Sequence, residues 1–182
     1  MKLFFDIVAV KGEAAAISLP LAAASGALAK YGGTWPLTGD AESATMTFFG
    51  TAGDEWYAVA RYYLAFDTTQ FTVAPSQAKL RMTMTEDYPT CGASMTIGVY
   101  MGSWGPDFDA PGDWDAFSTK IGELAGPFLA GAVYDIELSS IVLEDLTYLV
   151  LKATTESAEP LDGFANAAYF YGWLHPVLLV TP

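Results

Sequence analysis

Ala78-Lys79-Leu80-Arg81-Met82-Thr83-Met84-Thr85 alternates apolar and polar side chains without a break. A strand turns successive side chains to opposite faces. Leu80, Met82 and Met84 therefore share one face, and Lys79, Arg81, Thr83 and Thr85 share the other. This is the pattern of a half-buried strand in an antiparallel sheet with one wet side.

The same period extends in both directions. Upstream, Trp56 to Phe66 predicts a long strand. Val59, Arg61, Tyr63 and Ala65 lie on one face, and Tyr62, Leu64 and Phe66 on the other. Arg61 stands among aromatic residues, where its stem can pack while its head stays in water. Thr45 to Phe49 predicts a short strand before it. Downstream, Met95 to Met101 repeats the scheme through Met95, Ile97 and Val99, and a Gly, Pro and Asp-rich loop runs from Gly102 to Asp115. Ser118 to Leu124 has room for one helical turn. Val133–Leu138, Leu146–Lys152, Phe164–Tyr171 and Pro176–Thr181 complete the strands, punctuated by Pro160, Gly163 and Gly172. About nine or ten strands without sustained helices argue for an all-β antiparallel sandwich or barrel, not an α/β sheet.

The N-terminal segment is different. Leu3-Phe4-Phe5-Asp6-Ile7-Val8-Ala9-Val10 is β-rich, but its apolar residues do not alternate cleanly. That suits a strand buried on both faces, as against a second subunit, which makes Leu3, Phe4, Phe5, Ile7 and Val8 the candidate assembly arm. The run Ala14 to Ala29 predicts a short helix or an extended arm. It resembles the apolar part of a secretion signal, but Asp6 and Glu13 precede it and Pro20 interrupts it. It also falls short of the roughly 20 residues of a membrane span. Tyr31 to Pro36 is a turn-rich loop. The expected organisation is one domain, with residues 1–44 as N-terminal arm and first strand, and 45–182 as the sandwich.

Composition restricts the partners. The 182 residues are 52% hydrophobic and 16% charged, below the roughly 25% charge of ordinary domains. Part of so apolar a surface is expected to be covered. With eight Lys and Arg against 21 Asp and Glu, the net charge is −13. No basic cluster exists to replace phosphate counterions, so neither nucleic acid nor an anionic membrane is an expected partner.

Catalysis finds few tools. His175 is the only histidine and enters the last strand, and Cys91 is the only cysteine. A nucleophile–histidine pair has one imidazole to draw on, and a His/Cys zinc site lacks ligands. No phosphate-cradling glycine loop precedes a helix. Paired carboxylates can always be found among 21 acids, so they carry little information. The chain is expected to be no enzyme and to need no cofactor.

Two binding chemistries converge on one loop. Asp107, Asp109, Asp113 and Asp115 offer the hard oxygens that calcium prefers, although their spacing departs from the EF-hand pattern. Turns and caps are the other use of such residues. Trp104 and Trp114 flank the loop and Tyr100 precedes it. Aromatic rings beside carboxylates suit a glycan, the ring stacking on a pyranose while the acids accept hydroxyl protons. Capping one end of the sandwich core is the competing use of two tryptophans.

Arg61-Tyr-Tyr-Leu-Ala-Phe-Asp-Thr-Thr-Gln-Phe71, followed by Ala78-Lys-Leu-Arg-Met82, resembles the R-x-Y-L-x-F-D-T-S-x-L … A-x-L-x-L signature of jelly-roll sandwiches related to DNRLRE and carbohydrate-binding-module-like domains. Asp113 to Phe117, Tyr134 to Leu138, Thr147 to Leu151 and His175 to Thr181 continue it in order, so the resemblance covers residues 45–182. It implies a jelly-roll-like fold in one of two settings. One is a stand-alone virion protein of a tailed bacteriophage: a capsid decoration, fibre or tail appendage partnered by copies of itself or other virion proteins. The other is a carbohydrate-binding module of a secreted or cell-surface protein. A filament subunit that exchanges its first strand with a neighbour is a third expectation. Residues 1–44 depart from the usual start of such sandwiches, and their apolar character favours the virion setting.

Overall fold

The computed structural model describes residues 15–23, 25–33, 37–44, 49–52, 57–83, 96–105, 108, 112–129, 131–154, 156, 167–168 and 176–182. Among them are strands and connections, and no helix. The strands are β1 (Ile17–Leu19), β2 (Gly26–Gly32), β3 (Glu42–Ala44), β4 (Phe49–Ala52), β5 (Tyr57–Asp67) and β6 (Gln77–Thr83). They continue with β7 (Thr96–Gly102), β8 (Phe117–Ala125), β9 (Val133–Glu137), β10 (Leu146–Ala153), β11 (Ala167–Ala168) and β12 (Val177–Thr181).

Two antiparallel sheets form the expected sandwich. The smaller has the order β1-β12-β6-β9. The larger runs β11-β4-β5-β10-β7-β8, with β2 on the other edge of β5 and β3 outside β2. The opening octet behaves as its period requires. Leu80 and Met82 are fully buried, while Arg81 is exposed. On the wet face Lys79 stands opposite Glu137 and Arg81 opposite Asp135, each as an ion pair across the ladder.

The main core lies between the sheets. Leu64 and Phe66 from β5, Leu80 and Met82 from β6, Ile97 and Val99 from β7, Leu149 and Leu151 from β10, and Leu178 and Val180 from β12 meet there. At the end of β5, Asp67 accepts bonds from the Thr69 amide at 3.1 Å and its hydroxyl at 2.7 Å, which turns the chain. Buried Thr68 donates to the Glu144 carbonyl and shares a 2.8 Å bond with the Thr147 hydroxyl, tying this turn to the start of β10.

Several expectations need correction. Ser118 to Leu124 is no helical turn but the middle of β8. The strand pairs through bulges against β7: Lys120 stands opposite Tyr100 and Gly122 opposite Val99, so Ile121 is an extra residue between two consecutive β7 positions. The extra residue breaks the alternation and gives Ile121 and Leu124 the three-residue spacing of a helix. Of the short strand expected at Thr45 to Phe49, Phe49 opens β4, and 45–48 lie outside the described residues. The Ala14–Ala29 run is extended, not helical, where described. β1 pairs β12, and β2 pairs β5 along its whole length. From Ile17 onward the expected arm is therefore part of the sandwich's own sheets, because its apolar side chains find cores in the same chain: Leu19 in one and Leu28 in the other. Leu3, Phe4, Phe5, Ile7 and Val8 lie outside the described residues. So do Cys91, His175 and all but Ala167–Ala168 of the strand expected at 164–171.

Candidate functional site

The larger sheet is buried on both faces where β2, β5 and β10 lie side by side. Its outer face carries a second apolar cluster built from Leu28, Val59, Tyr63, Ala65 and Val150. Over it lie Trp104 and Trp114, the two ends of the loop between β7 and β8, with Phe108 packed against them. Trp104 meets Tyr63 edge to face at 5.3 Å and Tyr148 at 4.7 Å. Gly102 makes room for this indole: a Cβ there would stand 2.2 Å from Trp104 Cζ3.

Arg61 is set into this cluster, facing outward from β5 as the alternation requires. Its head does not stay wet: the residue is 7% exposed. Glu156, 8% exposed, holds the guanidinium through two bonds, from Nε at 3.1 Å and from the second terminal nitrogen at 2.6 Å. The first terminal nitrogen donates to the Trp114 carbonyl and, at 3.0 Å, to Asp115. The guanidinium carbon lies 3.9 Å from the Trp114 ring centroid and 4.9 Å from that of Phe117. Burial acts to lower the Arg61 pKa, but Glu156 and then Asp115 outweigh it and raise it. Tyr63 donates to the same Trp114 carbonyl at 2.7 Å, and burial pushes its phenol well above the ordinary range. A buried cation is tolerated because four of its five N–H groups meet acceptors among the described residues, two of them on a buried carboxylate. The arrangement works as a clamp: it fixes the β7–β8 loop and the turn after β10 onto one strand.

Around the clamp is a shallower, half-buried zone. Lys152 donates to Glu156 at 2.7 Å and lies 5.2 Å from the Tyr100 ring centroid and 4.7 Å from that of Phe117. Tyr100 and Phe117 meet edge to face at 5.4 Å.

The candidate site residues therefore separate. Trp104, 4% exposed, and Trp114, 8% exposed, cover the second cluster and offer no open ring face for a sugar, a correction to the glycan expectation. They pack because the outer face of β5 is itself apolar and aromatic. Tyr100 is half-buried and remains accessible. Asp115 serves Arg61, and Asp107 and Asp109 lie outside the described residues. Among the described residues no group of three or more potential ligands is placed to hold a metal. Neither Glu156 nor Lys152 belongs to a sequence pattern of its own, and only the buried arginine, which demands an acid, signals the former.

No protein-family model matches the chain, and no curated protein is significantly similar to it.

Proposed function

We propose that the chain is a structural assembly module, and in its sharpest form a bacteriophage virion protein: a capsid decoration, fibre or tail appendage acting by self-association and surface binding. The observation that carries this reading is the edge of the smaller sheet. Among the described residues β1 pairs on one side only, with β12, and it follows the apolar, β-rich segment Leu3–Val10 after six residues. An edge strand presents unpaired backbone groups to an added strand. Val73, Leu129, Val133 and Val142 are also well exposed, which suits a surface covered by neighbours. A strand-exchanging extracellular filament rests on the same edge and differs in setting. Hydrogen exchange of residues 3–10 at two protein concentrations tests the reading. Protection that grows with concentration supports assembly, and concentration-independent protection argues for a strand held within its own chain.

A carbohydrate-binding module is the second reading, favoured by the accessible Tyr100 among charged side chains.

A further inference from the structure

β8 departs from a regular strand where it borders Tyr100. Residues three apart on a strand normally face opposite ways. Because Ile121 is an extra residue between Lys120 and Gly122, which pair with the consecutive residues Tyr100 and Val99, Lys120 and Glu123 come to the same face and form a 2.7 Å ion pair. Lys120 stands opposite Tyr100, and Glu123 opposite Gly98. The Tyr100 ring is laid along its own strand over Gly98: a Cβ there would be 2.6 Å from the ring and 3.1 Å from the phenolic oxygen. On the other side of β7, Lys152 stands opposite Gly98 and is paired with Glu156. A tyrosine lying over glycine is thus framed by two ion pairs, with Phe117 as an apolar wall.

We infer that this patch, Gly98, Tyr100, Phe117, Lys120, Glu123 and Lys152, is a contact site for a neutral pyranose. The inference rests on the second reading above and moves its site away from the tryptophans. Each sugar hydroxyl both donates and accepts, so it can bridge a lysine and a glutamate together. A free anion would meet Glu123 and a free cation would meet the two lysines. The apolar face of the sugar ring takes the aromatic surface. A bulge that re-aims side chains beside a site is a recurrent use of that irregularity.

The test is an NMR titration of the full chain with cellobiose, maltose, lactose and chitobiose. At least one sugar is expected to shift the Gly98, Tyr100 and Lys120 signals. Tyr100→Ala should weaken it roughly tenfold or more, whereas Tyr100→Phe should retain most of the affinity. Lys120→Met and Glu123→Gln change exposed side chains and should each weaken it without altering the rest of the spectrum. Sugar binding that is unmoved by all of these variants overturns the site while leaving the carbohydrate reading standing. No shift with any of the sugars overturns both.

Discussion

Arg61 and Glu156, 95 residues apart in sequence, form a two-bond ion pair beneath the outer aromatic layer of the larger sheet, with both side chains only 8% exposed. Removing one partner leaves an uncompensated buried charge, which costs about 3–5 kcal/mol. Glu156→Ala and Arg61→Ala should each lower the urea midpoint by a corresponding amount. Replacing both with methionine should recover much of the loss, because the desolvation of both ions is then relieved. A double-mutant cycle measures the coupling. Asp115, whose side chain is 82% exposed, should matter far less, within about 1 kcal/mol.

The tryptophans provide a second test. Trp104→Ala and Trp114→Ala remove buried rings from the outer cluster and should destabilise by about 3–5 kcal/mol each. Near-neutral effects on stability would contradict their placement.

How much of this was legible in sequence varies with the kind of pattern. The faces of β5 and β6 followed from period-two alternation, and Leu64, Phe66, Leu80 and Met82 are in the core where that period puts them. β8 does not show as a strand in the sequence because a bulge erases the period locally. The outer cluster was invisible for a different reason: burial on both faces makes Tyr62 and Tyr63 look alike, so alternation cannot tell a second core from a wet face. Arg61 looks like a surface residue in the sequence because its partner Glu156 lies 95 residues further along the chain, and pairing at that separation leaves no local trace. Trp104 and Trp114 stand out as a pair in the sequence, but their neighbours decide between a platform and a lid.

At Gly122, β8 of the larger sheet packs against β9 of the smaller. A Cβ there would stand 2.8 Å from the Glu137 carbonyl oxygen, and Ser139 donates its amide to the Ile121 carbonyl at 2.7 Å. Backbone cannot swing aside as a side chain can. Gly122→Ala should therefore cost about 1–3 kcal/mol, measured by denaturant unfolding.

Acid should weaken the fold in a definable window. Hydrogen bonds from Thr69 hold the Asp67 carboxyl below its ordinary pKa, and Arg81 does the same for Asp135. A depressed folded pKa gives stability that is present above the unfolded value of about 3.9 and is lost as pH falls through the folded value. Unfolding midpoints should drop on acidification through that range, and Asp67→Asn and Asp135→Asn should each flatten the drop. At the other extreme, burial raises the phenols of Tyr62 and Tyr63. Their contribution is complete below the unfolded value of about 10 and is lost as pH rises toward the folded values, so alkaline unfolding should begin above it.

Sedimentation velocity of the full chain across a wide concentration range tests assembly most directly, with a Phe5→Asp, Ile7→Asp variant alongside. The account predicts that the parent forms discrete oligomers or larger assemblies, and that the variant sediments as a folded monomer with unchanged Arg61–Glu156 stability. A parent chain that remains monomeric at every concentration would contradict it.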